Sequence, residues 1–192
     1  LYTQEETRWG PHPLYIWRYR RHDWNHPKDN GRMRYLSVQP DRDGMITMNG
    51  LDNLVPLLSR TLTVLKINGP IWVHPRQRLD IPLLEVLIIE GDSNGGSIAI
   101  PENVRICQFK SGWIDLRSYT RERLELLVCS HCSCERLIEE ICPNIKVLSI
   151  KHRYTYEKID VSLLPHLVSL SYPSIEISSV HEKLTILKAD SV

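Results

Sequence analysis

The sequence predicts an α/β solenoid, with short parallel strands stacked into one curved sheet and joined by irregular short segments on the convex side. The first observation behind this is a repeated phrase: an apolar residue, two others, an apolar residue, one other, an apolar residue. It occurs at Leu62-Leu65-Ile67, Leu84-Leu87-Ile89, Val104-Cys107-Phe109, Leu124-Leu127-Cys129, Ile145-Leu148-Ile150, Leu167-Leu170-Tyr172 and Leu184-Leu187-Ala189. The middle members are 22, 20, 20, 21, 22 and 17 residues apart, and a near-constant period of this size marks stacked repeats. The second observation is composition. Of 192 residues, 42% are hydrophobic, with a single phenylalanine, Phe109. A core of branched aliphatics suits short pleated strands, and this much apolar material excludes wholesale disorder.

Along the chain, residues 1–32 form an irregular N-terminal cap or flanking segment. They hold Trp9, Trp17 and Trp24, several prolines and a basic run at Arg18, Arg20 and Arg21, with no sustained helical or strand period. The repeats occupy residues 33–192. Met33-Leu36-Val38 reads as an early, long repeat, its middle residue 29 before Leu65. The stretch from Leu51 to Leu58 has room for one or two helical turns. From residue 62 the pattern is strand-like, as in Leu65-Lys66-Ile67-Asn68 and Leu148-Ser149-Ile150-Lys151, because successive strand side chains point to opposite faces. Prolines precede four of the phrases: Pro82 before Leu84, Pro101 before Val104, Pro143 before Ile145 and Pro165 before Leu167. They are expected to end the preceding segment and give an extended lead into the strand. The segment from Arg136 to Ile141 has helical spacing, whereas Gly91 to Gly96 reads as turns.

The phrase resembles the leucine-rich repeat family over about two-thirds of the chain. The stretch from Ile141 through Cys142-Pro143-Asn144 to Ile150 is similar to the cysteine- and proline-containing repeats of F-box proteins. In that family the repeats hold the substrate of a cullin ubiquitin ligase, and a separate F-box holds the adaptor. The resemblance therefore implies a substrate-recognition role. No F-box is read in residues 1–60. The asparagine position of the family is held here by Pro70, Asp92, Gly112, Cys132, Arg153 and Ile175.

Two clusters invite chemistry. Cys129, Cys132 and Cys134, with His131 and Cys142 near, offer a C-x-x-C pair of the kind zinc uses. There is no second C-x-x-C, and Leu124, Leu127, Cys129, Cys132 and Cys134 fall on buried positions of the phrase, where cysteine acts as a small hydrophobe. The expectation is packing, with no metal and no cofactor. The second cluster is Trp17, Arg18, Arg20, Arg21 and Trp24, which could pair with phosphates and stack on bases. Against a net charge of +1, a segment covering the open end of the first repeat is the preferred reading. The eight histidines are scattered. No H-E-x-x-H, G-x-S-x-G or phosphate-loop motif occurs, so no catalytic residues are assigned.

Five cysteines, an odd number, and no asparagine in a glycosylation sequon predict a reducing, intracellular setting, cytoplasmic or nuclear. No apolar run is long enough to span a bilayer. A first residue of Leu1 instead of methionine predicts a piece of a longer protein. The function expected is a non-enzymatic interaction module that binds a protein partner on its concave face. The alternatives are an RNA- or DNA-associated factor and an architectural subunit of a large assembly. Strand parity puts Lys66, Gln108, Ser149 and Lys188 on that face, and Glu90, Lys110 and Lys151 in the next row. An apolar row shares the parity: Val64, Val86, Ile106, Leu126, Val147 and Ile186. The expected partner-binding residues are Lys66, Glu90, Ile106, Lys110, Leu126, Val147, Lys151 and Lys188, because interface cores are apolar with a polar rim. The competing expectation is that flanking segments of the chain itself cover the apolar row.

Overall fold

A computed structural model describes residues 6–7, 14–19, 34–40, 46–47, 60–72, 79, 81–94, 96–110, 112–116, 122–133, 140, 142–153, 158–176, 178 and 182–191. Sixteen strands run through them. The first eight are β1 (Glu6–Thr7), β2 (Leu14–Tyr19), β3 (Tyr35–Pro40), β4 (Ile46–Thr47), β5 (Val64–Ile67), β6 (Ile71–Trp72), β7 (Val86–Ile89) and β8 (Ser93–Asn94). The rest are β9 (Ile98–Ala99), β10 (Ile106–Phe109), β11 (Trp113–Asp115), β12 (Leu126–Ser133), β13 (Val147–Arg153), β14 (Ile159–Asp160), β15 (Ser169–Glu176) and β16 (Ile186–Ser191).

The repeat phrase builds the large sheet. Its strands β2, β3, β5, β7, β10, β12, β13, β15 and β16 lie side by side in parallel, and β1 pairs antiparallel with β2. The register is the one expected from the sequence. Leu36, Leu65, Leu87, Cys107, Leu127, Leu148, Leu170 and Leu187 stand opposite one another from strand to strand. All but Leu187 are buried. Two residues on, Val38, Ile67, Ile89, Phe109, Cys129, Ile150 and Tyr172 form a second buried column, and Leu62, Leu84, Val104, Leu124, Ile145 and Leu167 a third. One contiguous core results. Each fully buried leucine or isoleucine in it is worth about 1.5–3 kcal/mol relative to exposure.

The connections differ from the expectation. Among the described residues the only helical structure is a 3-10 turn at Val161–Leu163 and helical backbone at Glu140. The described residues thus form a parallel β-solenoid with almost no helix, which fits the expected solenoid but not specifically its α/β form. Nor is there a single sheet. The two-residue strands β4, β6 and β8 pair in parallel as a second, three-stranded sheet, and β9 and β11 join β12 at the margin of the first. The physical reason is length. A repeat of 20 to 22 residues, once its strand and turn are subtracted, leaves little chain for a stable helix of three turns. The helical turns expected near 51–58 lie outside the described residues, as does nearly all of 136–141.

The prolines do something other than lead straight into strands. The Leu84 N–H donates to the Ile81 carbonyl at 3.1 Å, Ile145 to Cys142 at 3.2 Å and Leu167 to Leu164 at 3.0 Å. Pro82, Pro143 and Pro165 are the second residues of these four-residue turns, where a φ already near −65° is required. Pro101 stands one place earlier, as the acceptor for Val104 at 3.2 Å. The carbonyl just before each strand then accepts two N–H groups from the next repeat. Thr63 takes Glu85 and Val86 at 2.8 and 3.0 Å, and Glu125 takes Lys146 and Val147 at 2.8 and 3.0 Å. This locks each repeat to its neighbour at one level.

One backbone contact is unusually tight. A Cβ on Gly91 would lie 1.7 Å from the Gly69 carbonyl oxygen, so this crossing admits only glycine. Gly69 itself has a φ of 126° and Gly112 a φ of 118°, in the region that favours glycine.

Candidate functional site

Strand parity leaves one face of the large sheet open. In β5, β7 and β10 every second residue is buried, and the alternate ones are half-buried or exposed. The apolar row of this open face is Val64, Val86, Ile106, Leu126 and Val147, in direct register across five adjacent strands. The row continues as Ser169 and Ile186. None of these side chains is buried, and Ile106 is 37% exposed. Most of the flanking segment expected to cover the row lies outside the described residues.

Polar residues border the apolar row on both sides. Toward the strand starts, Glu125 stands between two cations. Arg105 Nη2 lies 2.7 Å from Oε1, and Lys146 Nζ 2.7 Å from Oε2. The hydrogen bonds from Lys146 and Arg105 hold the Glu125 carboxyl below the usual carboxylate range, and the hydrogen bond to Glu125 raises Arg105 in turn. This ladder went unread in the sequence, although residues 105, 125 and 146 directly precede β10, β12 and β13 and alternate in sign. At the turn beside it, Asn144 donates to the Glu122 carbonyl at 2.9 Å and Arg123 to Asn103 Oδ1 at 3.0 Å.

Toward the strand ends lies a shallow hollow of about 630 Å³, lined by Asn68, Glu90, Gln108, Lys110, Val128, Ser130, Ser149 and Lys151 among others. Three of the expected partner-binding residues, Glu90, Lys110 and Lys151, meet here. Lys66 joins them through its Nζ, 2.9 Å from Glu90 Oε1. Ser130, between the two lysines, donates to the Lys110 carbonyl at 3.1 Å. Asn68 donates to Ser37 Oγ at 2.9 Å, while its buried Oδ1 has no donor. Ile106, Leu126 and Val147 share the face but stand nearer the strand starts. Lys188 is exposed on β16, opposite Ser171 and away from the hollow.

The other sequence clusters fare differently. Cys107, Cys129 and Cys142 are buried thiols outside any disulfide, Cys129 within the column where the phrase puts it. Cys132 stands in β12 opposite Ile114 and Arg153, and Cys134 lies outside the described residues. Among the described residues no group of three His, Cys, Asp or Glu side chains could hold a metal ion. Trp17 and Arg18 belong to β2, opposite Val38 and Gln39. Strand structure thus enters the segment expected to be irregular. Arg20, Arg21 and Trp24 lie outside the described residues.

Two further features went unread in the sequence. The Trp113 and His131 rings stack on adjacent strands, with centroids 4.8 Å apart and planes 12° from parallel. Asp160 caps the 3-10 turn through the Ser162 N–H at 3.0 Å and accepts from Ser178 at 2.7 Å. The hydroxyls of Ser162 and Ser178 depress the Asp160 carboxyl. Among the described residues no helix is long and apolar enough to cross a membrane. No protein-family model, curated protein or solved structure matches this chain.

Proposed function

We propose that the chain is a non-enzymatic interaction module that receives a protein partner on the open face of its large sheet. One observation carries this: an in-register apolar row of five residues, none of them buried, bordered by charged and hydrogen-bonding groups. That is the composition of an interface core with its rim. A solenoid suits the task, because its surface is a repeated array instead of a single pocket. The finer version is a leucine-rich repeat substrate receptor of a ubiquitin ligase. What supports it is the L-x-x-L-x-L register and the Cys142-Pro143-Asn144 turn that leads into β13. Its setting is intracellular.

The test is affinity capture from cell lysate with the wild-type chain and with Leu126→Asp, each with and without nuclease. Partners held by wild type and lost with Leu126→Asp support the face, and an adaptor and cullin among them support the ligase version. A set of partners identical for both proteins rejects the open face. Recovery abolished by nuclease favours a nucleic-acid role instead.

A further inference from the structure

Charge on the open face is of two kinds. Arg105 and Lys146 are both satisfied by Glu125, and Lys66 is satisfied by Glu90. Lys110 and Lys151 line the hollow, are exposed, and have no ion-pair partner among the described residues. The one carboxylate among the described residues of the hollow, Glu90, is already neutralised by Lys66. Uncompensated positive charge is therefore concentrated at the middle of the face, beside an accessible apolar row.

We propose that the segment this face receives is an acidic peptide of a partner protein. Its carboxylates sit on Lys110 and Lys151, and its apolar side chains lie over Ile106, Leu126 and Val147. The inference rests on the reading of the open face as an interaction surface and names the chemistry of what binds there.

Spacing sets the geometry. Lys110 and Lys151 belong to strands two apart, which puts their backbones roughly 10 Å from each other. The apolar row lies four residues before the lysine row in both β10 and β13, a distance of about 13 Å along the strands. An extended segment carrying an apolar residue and, about four residues away, paired acidic residues spans both rows. Gln108 and Ser149, two residues before the lysines along the chain, present an amide and a hydroxyl to the peptide backbone, and Ser130 stands between the lysines.

A nucleic acid fits less well. Single strands are held by a continuous basic groove with aromatic rings for the bases. Among the described residues around Lys110 and Lys151 the face presents Gln108, Val128, Ser130 and Ser149, and the ring in the lining, Phe109, is buried and offers no stacking surface.

The experiment is a fluorescence-anisotropy titration of the chain with a short labelled peptide of Glu, Asp and Leu. A matched peptide of Gln, Asn and Leu and a labelled oligodeoxythymidine are the comparisons. The acidic peptide is expected to bind, and binding should weaken as salt rises. Each of Lys110→Glu and Lys151→Glu should weaken it about tenfold, and Leu126→Asp should remove it. A lysine-rich peptide should gain affinity for the Lys110→Glu/Lys151→Glu double variant. Thermal melts of each variant separate loss of the face from loss of the fold.

Equal binding of the neutral peptide, still removed by Leu126→Asp, overturns the acidic chemistry and leaves the face as the site. Acidic-peptide binding that survives all three substitutions overturns both. An oligonucleotide that binds as tightly and depends on the same lysines, or an acidic peptide that does not bind at all, also overturns the inference.

Discussion

Leu148 and Leu187 occupy the same place in the same phrase, yet they live in different environments. Leu148 lies between β12 and β15, flanked by Leu127 and Leu170, and is fully buried. Leu187 has Leu170 on one side only and is 42% exposed, and Ile186 beside it is 52% exposed. The phrase specifies which way a side chain points, and the neighbouring repeats decide whether it is buried. In a solenoid, burial is a property of the pair of repeats and not of the sequence within one.

The largest expected effect tests that statement directly. Leu148→Ala should destabilise the chain by roughly 2–5 kcal/mol, as for other enclosed leucines. Leu187→Ala should cost under about 1 kcal/mol, because much of its surface already meets water. Urea titrations followed by circular dichroism measure both. Equal losses would break the comparison and mean that β16 is as well enclosed as β13.

A second expectation concerns the tight side of the interior. Gly91→Ala forces a methyl group onto the Gly69 carbonyl, and backbone cannot move aside as a side chain tip can. A loss of about 1–3 kcal/mol is expected, read as a lower midpoint at unchanged denaturant slope. An unaltered midpoint would mean that the crossing of these two repeats is looser than described.

The smallest effect lies on the open face. Because Arg105 and Lys146 hold the Glu125 carboxyl below its ordinary range, its contribution to stability is present above the unfolded carboxylate pKa. It is lost as pH falls through the depressed folded value. The ladder is exposed, so the effect on stability is slight. Proton titration of Glu125 by NMR should show the depressed value, and Lys146→Ala should raise it. No movement in that variant would mean the ladder is not formed in solution.

The residues show what was legible and why. The columns through Leu65 to Leu170 could be read because apolar residues at fixed spacing face one way in a strand. Leu36 extended the register to a repeat of irregular length. The helical turns expected at 51–58 and 136–141 were read from local spacing alone and lie outside the described residues, except Glu140, which is helical. The two-residue strands Ile71–Trp72 and Ser93–Asn94 carry too little alternation to be recognised. In β2, Leu14, Tyr15, Ile16 and Trp17 are consecutive bulky or apolar residues, so a period of two is invisible. The site was half legible. Parity identified the open face, while the Lys66–Glu90 pair, and the lack of an ion-pair partner for Lys110 and Lys151 among the described residues, depend on how side chains reach across strands.

The doubly accepting carbonyls before each strand tie every repeat to the one preceding it and to nothing farther away. A molecule joined in this manner has no keystone. Its interior strands can open only after a margin has done so, and β16, with its half-exposed leucine, is one such margin among the described strands. Amide hydrogens should therefore exchange in a gradient that is fastest in β16 and slowest around β10 to β13. A steady pull on residue 192 should unzip the sheet one rung at a time, giving a sawtooth in force instead of a single rupture.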